Sequence, residues 1–185
     1  MAMNRRDALK SVMVMMGGTM VGATAILTGC APEYQIEGLN FSPEDIAFLD
    51  EIGDTIIPET DTPGAKATGI GTFMVMMVKD TYDAEQQKTF VDGLNTIRNE
   101  FKSSNGSDFM AATAEDRLTY LNGLYDQFKT SKGEEAKAIN MIKDLTVLGY
   151  FSSEIGATQA LSYIEVPGKY DGCIPYNKGD KAYAI

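Results

Sequence analysis

The chain has 185 residues, 44% of them hydrophobic, which suits one domain with one ordinary core. It contains no His, no Trp and only two Cys. That composition excludes an attached c-type haem, a Cys/His zinc site and any nucleophile system built on a histidine base. The formal net charge of −10 describes a surface that repels nucleic acid and is not drawn to anionic lipid.

Met1 to Cys30 reads as an export segment to be kept apart from the fold. Asn4-Arg5-Arg6-Asp7-Ala8-Leu9-Lys10 resembles the twin-arginine signal, with Arg5 and Arg6 paired and Leu9 and Lys10 at the usual offsets. Ala8 stands where an aromatic residue is common. Val12 to Ile26 is apolar but loosened by Gly17, Gly18 and Gly22, and falls short of the ~20 apolar residues of a spanning helix. Leu27-Thr28-Gly29-Cys30 resembles a lipobox, in which the Cys30 thiol carries the lipid. The expectation is a cleaved, twin-arginine-type lipoprotein signal peptide over residues 1–29 and a lipidated tether over 30–41. The protein is then anchored on the periplasmic side of a membrane. The alternative is an uncleaved membrane helix with an incidental Cys30. Without residues 1–29 the chain has 13 basic and 25 acidic residues, a net of −12.

Residues 42–185 read as one helical domain. Ser42 is an N-cap, Pro43 suits the first helical position, and Glu44 and Asp45 are acids in a first turn. Ile46, Leu49, Ile52 and Ile56 follow at helical spacing, and Pro58 closes the segment. Glu59 to Gly69 is a loop with a Pro63-Gly64 turn. Its acids, Glu59 and Asp61 with nearby Asp54, lack the spacing of a calcium loop and read as a self-capped, solvated turn. Ile70, Phe73, Met74, Met77 and Val78 form the stripe of a second helix. Core packing is the plain reading of that stripe, and an adaptable methionine-rich face is the other.

Asp83 caps a third helix over 84–102, with Phe90, Leu94, Ile97 and Phe101 on one side. Ser103 to Asp108 reads as a loop. Thr113 caps a fourth helix whose apolar side is Leu118, Leu121, Leu124, Tyr125 and Phe128. Ser131-Lys132-Gly133 is a turn, and a fifth helix runs from Glu134 to about Tyr150. A short sixth helix is expected from Glu154 to about Leu161. No stretch alternates as a strand does. The expected fold is all-α, an irregular bundle of five to six helices with an extended C-terminal arm over 149–185.

The arm carries Tyr163, Ile164, Val166, Pro167, Gly168, Tyr170, Gly172, Cys173, Ile174, Pro175 and Tyr176. Such a segment cannot build a core of its own but suits a surface, and tyrosine is favoured at interfaces. The candidate partner contacts are Tyr150, Phe151, Tyr163, Tyr170, Cys173 and Tyr176. With Cys30 lipidated, Cys173 is the one thiol left. Two readings stay open for it: an inter-subunit disulfide, or a buried free thiol acting as a small hydrophobe.

Two stretches carry a family resemblance. GYFSSEIGATQAL followed by YIEVPGKYDGCIPY, within Gly149 to Tyr176, resembles the C-terminal signature of the gluconate 2-dehydrogenase subunit 3 family. IIPETDTPGAKATGI, Ile56 to Ile70, resembles its N-terminal signature. The resemblance implies an accessory subunit with no catalytic, cofactor-binding or metal-binding residues of its own. It also implies a large FAD-containing partner of the glucose-methanol-choline type that oxidises a sugar, sugar acid or glycoside. Electrons would pass to a c-type cytochrome carrying haem c. In that setting the small chain aids export, maturation, stability and anchoring of the flavoprotein. A stand-alone lipid-anchored binding or scaffold protein is the alternative. An independent carboxylate hydrolase using Glu59 and Asp61 finds no support in their spacing.

Overall fold

The computed structural model describes residues 35–36, 39–130, 133–166, 168–169, 172–175 and 177–184. The chain divides into two units, residues 1–35 and 36–185, and the helical body lies in the second. Five α-helices make up most of it, as the all-α expectation holds: α1 Pro43–Ile56, α2 Ile70–Thr81, α3 Ala84–Asn105, α4 Ala114–Phe128 and α5 Glu134–Ser152.

The helix starts follow from local chemistry. At α1 the Ser42 hydroxyl accepts from the Asp45 N–H (3.2 Å) and the Asp45 carboxylate accepts from the Ser42 N–H (3.0 Å). This reciprocal capping satisfies two donors that have no partner within the helix. Asp83 and Gln86 form the same arrangement at α3, and the Thr113 hydroxyl caps α4. The third helix runs three residues past its expected end at 102. The Ser103 and Ser104 hydroxyls donate to the Asn99 and Glu100 carbonyls, which lets a polar segment stay helical, and Gly106 at φ 69° then ends it.

α2 starts in an unusual way. Gly69, at φ 66°, turns the chain out of a 3-10 turn at Ala65–Thr68 and offers no side chain as a cap. The cap comes from α1: the Asp50 carboxylate accepts from the Gly71 N–H at 2.7 Å. An acid at a helix N-terminus also meets the positive end of the helix dipole. Burial nonetheless holds the Asp50 carboxyl above its ordinary range, against the Gly71 hydrogen bond and nearby Lys66.

The core forms where the helix faces meet. Phe48, Leu49 and Ile52 of α1 are buried with Met74, Val75 and Val78 of α2, Phe90, Leu94, Ile97 and Phe101 of α3, and Ile142 and Leu145 of α5. Phe109, in a short 3-10 turn before α4, joins them. Its ring lies 5.2 Å from Phe48 and 4.9 Å from Phe101, both edge-to-face. Ile70 is fully buried between α1 and α5. A Cβ at Gly53 would stand 2.5 Å from its Cγ2, and one at Gly149 would stand 2.4 Å from its Cδ1. Both helices are thus bare where Ile70 seats.

The sixth helix takes a different form. After a break at Ser153 the chain makes a π turn over Gly156–Ala160. The Ser153 hydroxyl donates to the Tyr150 carbonyl (2.7 Å) and accepts from the Gly156 N–H (3.0 Å), closing the corner. Beyond it, Ser162–Tyr163 pairs in parallel with Tyr183–Ala184. The chain therefore leaves the bundle as an arm whose end pairs with its own start.

Two glycine substitutions of opposite sign check this packing. Gly149→Ala places a methyl against Ile70 and Phe73 and lowers stability by about 1–3 kcal/mol. Gly123→Ala, in a helical position with open space around it, raises stability by up to about 1 kcal/mol. Urea melts of the two variants read both effects.

Candidate partner-binding surface

The described residues offer little built chemistry. No group of three or more Cys, Asp or Glu among them is placed to hold a metal ion, and no helix among them is long and apolar enough to cross a membrane. Two acids in and beside the first loop are used locally. Asp54 accepts from the Lys66 N–H (3.3 Å), and Asp61 accepts from the Thr60 hydroxyl (3.0 Å). The least exposed of the ion pairs forms a structural joint: Glu51 of α1 meets Arg117 of α4, and the more exposed Lys66 joins it at 2.6 Å. Arg117 also donates to the Ala112 carbonyl and lies over the Phe109 ring. This network fastens the start of α4 to α1.

What stands out is apolar surface. Val147, Leu148 and Phe151 are exposed at the end of α5, spaced three and four residues apart on neighbouring turns. Tyr163, Val166, Ile174 and Tyr183 are exposed in the segment beyond it, Val166 to 79%. Seven of the eleven exposed large apolar side chains among the described residues lie from Val147 onward, and a concentration of such residues suits an interaction site better than scattered single ones do.

The expected contact residues divide. Tyr150 is a correction: it is 2% exposed and belongs to the core. Its hydroxyl donates to the Pro63 carbonyl (2.9 Å) and lies 3.4 Å from the Thr62 hydroxyl. The neighbouring position, Phe151, turns outward at 39% exposure, with its ring edge-on to Tyr150 at 5.1 Å. Successive helical residues point about 100° apart, so one of the two faces in and the other out. Tyr163 is exposed, and so is Cys173, a free thiol at the surface of the chain and not the buried small hydrophobe of the second reading. Tyr170 and Tyr176 lie outside the described residues, as do Arg5, Arg6, Leu9, Lys10 and Cys30. Val147, Leu148 and Tyr183 are exposed although they lie outside the expected contact set. For Val147 and Leu148 a signal was present, because Leu145 to Phe151 holds no charged residue and is mostly apolar.

The arm is held at its base. The Ser162 N–H donates to the Ala182 carbonyl (2.8 Å), and the Lys181 ammonium donates to the Gln159 carbonyl. A turn at Asn177–Asp180 precedes the return strand, with the Asp180 carboxylate accepting from the Asn177 N–H (2.8 Å). A loop closed in this way shows its apolar side chains at lower entropic cost than a free tail does.

The stretches 56–70 and 149–176, distant in sequence, also meet in space. Tyr150 reaches Pro63 and Thr62, and Gly149 receives Ile70. The adjacent pair Tyr150 and Phe151 then separates a buried position from an exposed one. Tyr150→Phe removes the bond to Pro63 and costs about 1 kcal/mol of stability. Phe151→Ala, on the surface, changes stability by no more than about 0.5 kcal/mol. Thermal melts of both variants give the comparison.

No curated protein and no solved structure matches this chain. Residues 43–168 match the family described as gluconate 2-dehydrogenase subunit 3. The match spans all five helices, the π turn and the first part of the arm. On that match, the chain belongs to the gluconate 2-dehydrogenase subunit 3 family.

Proposed function

We propose that this chain is the non-catalytic small subunit of a periplasmic, membrane-anchored dehydrogenase complex. Its main partner is a large FAD-dependent subunit of the glucose-methanol-choline type that oxidises a sugar, sugar acid or glycoside. A c-type cytochrome receives the electrons. Family membership supports a place in such a complex. The observation that carries the reading is the exposed apolar set at the end of α5 and in the clipped arm, Val147 to Tyr183.

Each part of the role has a physical basis. A chain that binds only the folded flavoprotein stabilises it by mass action. Arg5, Arg6, Leu9 and Lys10 would direct export of the two subunits together, so that the flavoprotein crosses with FAD already bound. Lipid on Cys30 would then hold the complex at the membrane, where more than one acyl chain gives stable anchoring. FAD and haem c belong to the other subunits in this scheme.

Co-purification tests the reading. The chain is tagged after Ile185, expressed in its own host and extracted in mild detergent. The expected result is a stoichiometric flavoprotein with flavin absorbance, lost from the membrane fraction when Cys30 is replaced by Ala. A lone, colourless lipoprotein contradicts the reading and favours a stand-alone scaffold.

A further inference from the structure

The arm is closed without a core. None of the described residues from 162 to 183 is buried, and Tyr163, Val166, Ile174 and Tyr183 are each 45% exposed or more. The segment therefore adds little buried apolar area to the helical body. Joining its ends closes a loop of about 20 residues, at an entropic cost that grows with the logarithm of loop length. Hydrogen bonds, and not burial, hold it shut.

Those bonds are concentrated around one short stretch, Asn177-Lys178-Gly179-Asp180-Lys181. The Asp180 N–H donates to the Asn177 carbonyl (3.0 Å). The Asp180 carboxylate accepts from the Asn177 N–H (2.8 Å) and from its side-chain amide (3.3 Å). Gly179 sits at φ 100°, a backbone conformation that any side chain at that position would strain. Lys181 then ties the returning chain to the Gln159 carbonyl, next to the bond from the Ser162 N–H to the Ala182 carbonyl (2.8 Å). Ile174 and Pro175 line one recess with Ser162, Lys181 and Tyr183, so the middle of the arm lies against the closure as well. Gly179, Asp180 and Lys181 are outside the exposed apolar set and yet govern where it stands.

We infer that Gly179, Asp180 and Lys181 are positioning residues for partner binding: they keep the arm closed, so that its apolar side chains meet the flavoprotein already ordered. The inference rests on the proposed function and deepens it, because it assigns the ordering of the contact surface to residues that do not themselves supply apolar contacts. A segment ordered before association avoids the entropy loss that a loose one incurs on binding.

The test uses the full chain and the flavoprotein subunit that co-purifies with it. The variants are Gly179→Ala, the double variant Asp180→Ala with Lys181→Met, and the conservative double variant Asp180→Asn with Lys181→Arg. Amide exchange at Ser162 and the thermal melt are read on the free chain, and affinity is read against the flavoprotein. Gly179→Ala and the first double variant are expected to speed exchange at Ser162, leave the melt unchanged and weaken binding about 10-fold. The conservative double variant keeps an acceptor and a donor in place and is expected to bind as wild type does. Unchanged exchange at Ser162 in the disrupted variants overturns the inference, because these residues then do not hold the arm. Faster exchange with wild-type or tighter binding overturns it and leaves the proposed function standing. Equal loss of affinity in the conservative variant assigns the two side chains to direct contact, and a lowered melt assigns the turn to support of the helical body; either result overturns a positioning role. Absence of any flavoprotein with the wild-type chain overturns the proposed function and this inference together.

Discussion

The architecture depends on how Ile70 is seated. Its side chain fills the space between α1 and α5 because Gly53 and Gly149 leave those helices bare where they face it. The next residue, Gly71, gives its N–H to Asp50 of α1 and packs against the Ile46 carbonyl. The first turn of α2 is thus fixed to α1 by a hydrogen bond and to α5 by packing. Earlier in the same loop, the Pro63 carbonyl accepts from the Tyr150 hydroxyl. These contacts, made between residues far apart in the chain, set where α5 ends.

That placement decides what the surface shows. With Gly149 and Tyr150 held inward, Leu148 and Phe151 are turned outward on the same helix. The corner at Ser153 and the π turn after it stop the helix and release the chain as an arm, whose end is tied to its own start at Ser162 and Ala182. The apolar side chains of the arm are presented from a closed loop and not from a loose tail. In and beside the first loop, Asp61 accepts from a neighbouring hydroxyl and Asp54 from a backbone N–H. The exposed apolar side chains from Val147 to Tyr183 are the feature on which the proposed role rests.

Much of this was legible in the sequence because it rests on local rules. Ser42 with Asp45, Asp83 with Gln86 and Thr113 with Asp116 are caps that need only neighbouring residues. The helical stripes were legible for the same reason. Phe48 and Phe109 were missed as core residues because their burial comes from each other and from Phe101, across long separations. Ser103 and Ser104 have loop composition, and their hydroxyls are satisfied equally well by the helix's own carbonyls. Tyr150 and Phe151 are alike in sequence, and a partner 87 residues away decides which one is buried. The apolar side of α4 was legible as a stripe, yet only Leu124 of it is fully buried. Periodicity locates an apolar face but does not say whether the chain itself covers it.

The most direct test of the central claim is hydrogen–deuterium exchange of this chain alone and in the complex that co-purifies with it. Complex formation is predicted to slow exchange in the last two turns of α5 and in the arm over 162–184. Protection confined to the polar outer side of α3, with the arm exchanging as fast as in the free chain, would contradict the claim.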